Sequence, residues 1–222
     1  MQKKGAKTSV EKALDLIEAL KEHYKLGVTD LSNILGLNKN NVFRLLATLQ
    51  VKGFIEQDES GDYKLGVKTL SLEYAYIKNL AFFDTVRPFI KKLRDELNET
   101  VYLSVLHNND LIYIYNKESK SSVLVNSRVA KRYNAEKTAA GRAILRGKKE
   151  TGDIYEIDIE GAEPEVSEVA TVIRDETGHV ISGLSVVAPI SRLNQTNAEG
   201  IIKDKLLKTA REINHMLNIV LP

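Results

Sequence analysis

Apolar residues at the beginning of the chain recur at three- and four-residue spacing, which is typical of amphipathic helices. The first such stretch runs from Val10 to Tyr24, with Ser9 as its cap and Lys12 where a capping box would have Glu. The second runs from Thr29 to Leu35, and Thr29 is suited to cap it. The pattern therefore predicts two helices separated by a short connection.

The residues after the second helix predict a tight turn and a third helix. Gly36 is suited to the left-handed conformation that ends many helices, and Asn38 is suited to cap the helix that follows. The third helix is predicted from Lys39 to about Val51, with its apolar residues on one side. The other side carries no acid and consists of Lys39, Asn40, Asn41, Arg44, Thr48 and Gln50.

The polar side of the third helix has the residue types that bind DNA. Asn can pair with adenine edges, Arg with guanine edges and Lys with phosphates. Two short helices joined by a tight turn, the second with such a face, are typical of a helix-turn-helix. An ordinary helical hairpin with a solvated polar face is the alternative interpretation.

A β-hairpin is predicted directly downstream, with strands at 54–57 and 63–66 around a loop that contains Gly61. This order of elements is typical of a winged helix-turn-helix, so residues 1–66 are predicted to form a DNA-binding domain. The wing tip is acidic, which leaves Lys64 as its candidate for contact with phosphate. Ser32 and Lys7, the latter in a basic arm, are further candidates for contact with the DNA backbone.

The pattern changes after a helix predicted at 67–83. Apolar residues are spread widely around that helix, so it is predicted to link two domains and to pack against a second copy; packing within its own domain is the alternative. Residues 84–222 predict an α+β domain, in which helices back a mostly antiparallel sheet. The predicted helices are 84–98, 138–146 and 198–217, and the predicted strands are 100–106, 111–116, 122–127, 166–174 and 179–189.

Composition narrows the protein class without identifying the function. The 222 residues, 43% of them hydrophobic, suffice for one large or two modest domains, and the absence of cysteine excludes disulfide scaffolds and thiolate sites. No apolar run approaches the roughly 20 residues of a membrane span, and no signal-peptide core is present, so a cytoplasmic protein without membrane contact is expected. The net charge of +2 is too small to indicate nucleic-acid binding by itself.

An enzyme is disfavoured by the residues available for chemistry. The four histidines lie far apart in sequence, and no nucleophile elbow, zinc-protease motif or phosphate-binding glycine loop is present. Glu156, Asp158 and Glu160 alternate along one predicted strand, but oxygen ligands from a single strand rarely complete a coordination shell. No catalytic residue, metal site or cofactor is therefore predicted.

Several segments of the sequence together resemble one family of regulators. SVEKALDLIEAL from Ser9, LSNILGLNKNNVFRLLATL from Leu31, GFIE from Gly53 and YKLG from Tyr63 resemble the amino-terminal domain of IclR-type (isocitrate lyase regulator) transcription regulators. RDETGHVISGLSV from Arg174 resembles the GAF-like effector domain of the same family. The resemblance implies a transcriptional regulator that binds double-stranded operator DNA as a homodimer or tetramer and responds to a small-molecule effector.

The resemblance also implies an effector site in the second domain. Its positions fall on Thr138, Ala139, Ala140, Asp158, Glu168, Ser185 and Val187. Glu168 stands where the family usually has Cys, and Val187 where it usually has Ser. A second carboxylate beside Asp158 would repel small organic anions, so the anionic effector typical of the family is not expected here.

The sequence leaves alternatives open for the second domain. Asp158 and Glu168 belong to an acidic stretch that is as compatible with a solvated sheet edge as with a binding site. The chain is also short between Arg146 and Tyr155, where family members usually carry a further helix and strand over the pocket. A ligand-independent DNA-binding scaffold, whose second domain only oligomerises, is therefore the alternative to an effector-responsive regulator.

Overall fold

The computed structural model describes residues 7–220. Contacts separate the chain into two compact units, Met1–Asn79 and Leu80–Pro222. None of the helices between residues 7 and 220 has the length and apolar composition that crossing a membrane requires.

The first unit is a winged helix-turn-helix, as predicted. Its elements are α1 (Ser9–Glu22), α2 (Val28–Leu35), α3 (Lys39–Val51), β1 (Ile55–Gln57), β2 (Tyr63–Leu65) and α4 (Lys68–Lys78). β1 and β2 pair antiparallel, and Leu26 in the α1–α2 connection adds a bridge to Tyr63. α1, α2, α3 and the hairpin share one core, which includes Leu16, Leu20, Leu31, Val42, Leu46, Ile55 and Tyr63.

The caps predicted for the first two helices were wrong by one or two residues. Thr8, not Ser9, caps α1: its hydroxyl accepts from the Glu11 N–H (3.2 Å), and its own N–H donates to the Glu11 carboxylate (2.6 Å). This capping box satisfies two backbone groups at once, which Ser9 with Lys12 could not do. α2 begins after Gly27, whose carbonyl accepts from the N–H of Leu31 (3.0 Å), so Thr29 lies inside the helix.

The helix predicted at 67–83 is α4, which spans Lys68–Lys78. It has no buried residue. Its exposed apolar side chains include Leu70, which is 59% exposed, and Tyr74, which is 67% exposed. Such a helix leaves apolar surface in water unless another chain covers it.

The second unit is an α+β domain around a six-stranded antiparallel sheet, as predicted. Its elements are α5 (Phe83–Leu97), β3 (Thr100–His107), β4 (Asp110–Lys117), β5 (Arg132–Asn134), α6 (Ala139–Gly147), β6 (Tyr155–Ile159), β7 (Val166–Arg174), β8 (Val180–Pro189), α7 (Gln195–Asn197) and α8 (Lys203–Val220). The strand order is β5-β4-β3-β8-β7-β6. α6 packs against the sheet face that carries Tyr102, Ala170 and Val187. α5 and α8 pack against each other and against β3 and β7.

Two predictions for the second unit were wrong. Residues 122–127 form no strand, and the edge of the sheet beside β4 is instead occupied by β5, which pairs with Asp110–Ile112. The last long helix begins at Lys203 rather than 198, because Gly200 (φ −96°, ψ −117°) interrupts the helical backbone. The hairpin of β7 and β8 was predicted correctly.

Candidate nucleic-acid interface and effector region

The turn between α2 and α3 is built from residues that the sequence identified. Gly36 adopts the left-handed conformation (φ +63°), and the Asn38 side chain caps α3 by accepting from the N–H of Asn41 (2.9 Å). The half-buried Ser32 donates its hydroxyl proton to the Leu37 carbonyl. Ser32 would have to leave this bond in order to donate to a DNA phosphate.

The outward side of α3 carries positive charge that no acid among residues 7–220 neutralises. Lys39, Asn40 and Arg44 are exposed, and neither Lys39 nor Arg44 forms an ion pair with any residue between 7 and 220. Asn41 is half-buried. Uncommitted cations on a helix face remain available for phosphates or base edges.

A cleft of about 180 Å³ joins this side of α3 to the first turn of α1. It is lined by Ser9, Lys12, Asn41, Arg44, Leu45 and Thr48. Lys12 is not among the residues predicted to bind DNA, because α1 lies outside the two helices of the helix-turn-helix. The cleft places a second lysine beside the predicted DNA-binding residues.

Lys64 and Lys7 are already engaged in ion pairs on the surface. Lys64 Nζ lies 4.0 Å from Glu56 Oε2 on the neighbouring strand, and Lys7 Nζ lies 2.7 Å from Asp15 Oδ2 on α1. Exposed pairs of this kind contribute little because solvent screens them, so either lysine could exchange its partner for a phosphate.

Lys25 offsets the acidic wing tip. Its ammonium lies 3.0 Å from the Asp58 carboxylate and 3.3 Å from that of Asp62. The Ser60 hydroxyl and the Lys25 ammonium hold the pKa of Asp58 well below its usual range. The wing tip is therefore a structured loop whose two aspartates are bound to Lys25 within the domain.

In the second unit, small residues bring the start of α6 against the chain before it. The Thr138 hydroxyl caps α6 by accepting from the Gly141 N–H (3.1 Å), and Thr138, Ala139 and Ala140 are fully buried. A Cβ at Gly141 would lie 2.1 Å from the Ala135 carbonyl oxygen. Only glycine fits at position 141.

The sheet brings most of the predicted effector positions next to this helix start. Glu168 on β7 is paired with Val187 on β8, and Ser185 follows on the same face one step along. Asp158 is the partner of Glu168 on β6, but its carboxylate accepts from the Ala162 N–H (2.9 Å) in the next loop. Asp158 therefore lies in the same row but supports the loop at the end of β6.

Glu168 is fully buried and is bound from three directions. Its Oε1 accepts from the Tyr113 hydroxyl (2.9 Å), and its Oε2 accepts from the Ala139 N–H (3.1 Å) at the start of α6. Arg128 Nη1 lies 3.5 Å from the same Oε2. The interpretation of this acid as part of a solvated edge was wrong, because its side chain points to the sheet face on which α6 and Arg128 pack.

Arg128, only 1% exposed, holds this cluster together. It donates to the Tyr113 hydroxyl (3.1 Å), and its Nε lies 3.2 Å from Glu163 Oε1, which also accepts from Tyr133 (2.8 Å). Burial and Glu168 raise the pKa of Tyr113, so the phenol stays protonated and can donate. Burial alone would lower the pKa of Arg128, but Glu168 and its other partners raise it. Neither Arg128 nor Tyr113 had a sequence signal, since their partners are distant in the chain.

Glu156 and Asp158, on the edge strand β6, are also paired. Glu156 lies 3.4 Å from Arg142 and 3.1 Å from Arg146, both on α6, and Arg142 lies 3.6 Å from Asp158. Within the described part of the chain, no group of three or more His, Cys, Asp or Glu residues is placed to hold a metal ion. These carboxylates anchor α6 to β6.

Family models match most of the chain. The model of the IclR helix-turn-helix domain matches residues 9–59, and that of the bacterial transcriptional regulator IclR C-terminal domain matches residues 74–153 and 151–215. The second match is broken near residue 152, between α6 and β6. This is the connection that the sequence indicated to be short.

Named relatives agree with this assignment. The HTH-type transcriptional regulator XynR of Escherichia coli (strain K12) is 30% identical over 139 residues, which span 62% of this chain and 55% of XynR. The HTH-type transcriptional repressor AllR of the same organism is 27% identical over 252 aligned positions, which span 97% of this chain and 92% of AllR. That alignment is longer than the 222-residue chain, so AllR contains residues that this chain lacks.

The fold also matches a solved structure with a bound ligand. An IclR homolog from Microbacterium hydrocarbonoxydans, complexed with 4-hydroxybenzoate, superimposes with a TM-score of 0.79 at 17% identity, covering 96% of this chain and all of that one. The relatives are named as transcriptional regulators and repressors, in agreement with the prediction of a non-enzymatic protein. With both family models matched in chain order, this protein belongs to the IclR family of DNA-binding transcriptional regulators.

Proposed function

We propose that this protein binds operator DNA as a homo-oligomer, with α3 in the major groove. The observation that carries the proposal is the acid-free outer side of α3, where Lys39 and Arg44 have no ion-pair partner among the described residues. Arg44, Asn40 and Asn41 read base edges, and Lys39 neutralises phosphate. A cytoplasmic location accompanies this function, since operator DNA lies there.

Further residues are candidates for contact with the DNA backbone, and some of them would first have to leave a partner within the protein. Lys12 on α1 and Thr48 on α3 line the cleft beside Arg44, so both are candidates for contact with the same DNA strand. Lys7 and Lys64 would exchange an exposed carboxylate for a phosphate, whereas Ser32 would give up a hydrogen bond within the turn. We therefore place Ser32 last among the residues predicted to bind DNA.

A second copy of the chain is the partner that α4 requires. α4 presents more apolar surface than scattered single residues would, through its exposed Leu70, Leu72, Tyr74 and Tyr76. Pairing α4 with the same helix of another copy would bury these side chains and place two α3 helices on successive half-sites. A dimer or a tetramer of such dimers is expected.

The second unit then acts either as an effector sensor or only as an oligomerisation domain. A sensor would bind its ligand near Thr138, Ala139, Ala140, Ser185 and Val187 and would shift the balance between dimer geometries. One observation favours the ligand-independent scaffold: Glu168 already fills the space between these residues with a bound carboxylate. The broken family match beside α6 points the same way.

The test of DNA binding begins with selection of duplexes from a random pool by the full chain. Arg44→Ala should weaken binding to the selected sequence by about 5- to 150-fold, since a bidentate base contact contributes about 1–3 kcal/mol of discrimination. Lys21→Ala is the matched control, because Lys21 on α1 is paired with Glu18 and Glu22. Wild-type affinity in Arg44→Ala would exclude this side of α3 from the interface.

The test of assembly is light scattering at micromolar concentration. The wild type should have at least the mass of a dimer, and the double variant Leu70→Lys, Tyr74→Lys should have that of a monomer, because two buried lysines would lack partners. Gln50→Lys, which adds an exposed lysine on α3 instead of α4, is the control and should leave the mass unchanged. A monomeric wild type would contradict the proposed assembly.

A further inference from the structure

The Glu168 carboxylate is held in the manner of a bound ligand. Its donors come from three separate parts of the second unit: the N–H of Ala139 at the start of α6, the hydroxyl of Tyr113 on β4 and the guanidinium of Arg128. All three converge on one anion. A helix start, a phenol and an arginine together form a site for a carboxylate, whichever molecule carries it.

We propose that Glu168 is an intramolecular ligand, which occupies a carboxylate-binding site at the start of α6 and thereby excludes external organic acids from it. The regulatory consequence rests on the proposed function: this protein binds DNA without responding to small carboxylic acids at this site. The prediction that this site can bind a carboxylate does not depend on the proposed function. If Glu168 is shortened, the site becomes a receptor for a free carboxylate.

The surroundings of the carboxylate define what the emptied site would accept. Val187, Ala139 and Ala140 form an apolar wall beside it. Ser185, one step along the same sheet face, has a buried hydroxyl without a hydrogen-bond partner among the described residues. The site would thus accept one carboxylate and a small apolar group, with Ser185 as a further donor.

The size of the expected ligand follows from the substitution itself. Glu168→Ala removes Cγ, Cδ and the two carboxylate oxygens, which are the heavy atoms of acetate. The site is fully buried, so an aromatic acid would not fit the space left by these four atoms. Arg128 keeps Glu163 as a second acid in the variant, so it does not remain a wholly unpaired buried charge.

Thermal unfolding of the full chain tests this inference, with sodium acetate compared against sodium chloride at equal ionic strength. Glu168→Ala should have a lower Tm than the wild type in chloride. Acetate should raise the Tm of Glu168→Ala by about 3–6 °C for each tenfold increase above its Kd. Propionate should raise the Tm of this variant less than acetate does, and benzoate and methylammonium should leave it unchanged. The wild type should not distinguish acetate from chloride.

Two further variants separate a ligand site from a packing defect. Glu168→Gln fills the same space without charge, so its Tm should fall without any response to acetate. Adding Arg128→Met to Glu168→Ala should abolish the acetate response. If Glu168→Ala does not fold in chloride, refolding in acetate should recover folded protein.

Several results would overturn the proposal. One is a saturable increase of the wild-type Tm with acetate. Another is a folded Glu168→Ala variant whose Tm does not change with acetate. The third is a Glu168→Ala variant that is misfolded in chloride and does not refold in acetate. Each is read from stability alone. A failure of this inference is therefore distinct from a failure of DNA binding, which is measured with the selected duplex.

Discussion

Arg44 and Arg128 put the same side chain to opposite uses in the two units. Arg44 is exposed on α3 and has no ion-pair partner among residues 7–220. Arg128 is almost fully buried, and Glu168, Glu163 and Tyr113 surround it. The comparison shows one arginine that remains available for binding on the first unit and one that is already neutralised inside the second.

The difference has a direct electrostatic cause. A guanidinium in water retains its hydration and can exchange water for a phosphate or a base edge at little cost. A guanidinium in the interior loses that hydration, and only well-placed anions compensate for the lost hydration free energy. Removing a partner from the interior is therefore expensive, whereas removing Arg44 should alter binding and leave folding intact.

Arg128→Met is expected to have the largest effect on folding. It leaves Glu168 as a buried carboxylate without its cation, and breaking such a pair typically costs about 3–5 kcal/mol. Denaturant unfolding of the full chain should show the loss, and hydrogen exchange should locate it in β7 and α6. Arg132→Met is the matched control, because Arg132 is exposed and lies 3.7 Å from Asp110. Equal stability of the two variants would mean that the Arg128 cluster does not hold the second unit together.

Lys39→Ala should have a smaller effect, and a different one from Arg44→Ala. If Lys39 contacts phosphate, the loss of affinity should be the same for the selected duplex and for a scrambled one, and the slope of log affinity against log salt should fall by about 1. Arg44→Ala should weaken the selected duplex more than the scrambled one. Gel shifts at several salt concentrations measure both quantities. A sequence-dependent loss in Lys39→Ala would reassign it to base recognition.

The contrast between the units also explains how far the sequence could predict the structure. The helix-turn-helix was predictable because its signals are local: Gly36 ends α2, Asn38 caps α3, and the apolar stripe repeats at helical spacing. The hairpin of β7 and β8 was predictable for the same reason, from alternation around a Gly-containing turn. Arg44 could be identified because exposure follows from its position on the polar side of α3.

The cluster around Glu168 was not predictable, because its members are distant in sequence. Glu168 and Tyr113 are 55 positions apart, and Arg128 lies in a segment without regular strand or helix. The sequence identified Glu168 as unusual but paired it with the wrong neighbours, since like-charge repulsion from Asp158 appeared to be the dominant interaction. A buried arginine has no local pattern, so only the fold reveals the charge that stabilises Glu168.

Thr8→Ala should have the smallest effect of the changes considered, and it tests whether local backbone signals also determine stability in the first unit. Loss of the cap at α1 should cost about 0.5–2 kcal/mol, because the Glu11 N–H would lose the Thr8 hydroxyl to which it donates. Ser9→Ala is the matched control and should stay within about 0.5 kcal/mol of the wild type. Hydrogen exchange in the first turn of α1 should be faster in Thr8→Ala than in Ser9→Ala. Exchange in the second unit should remain unchanged in both variants. A larger effect from Ser9→Ala would show that α1 is capped in solution by the residue that the hydrophobic pattern favoured.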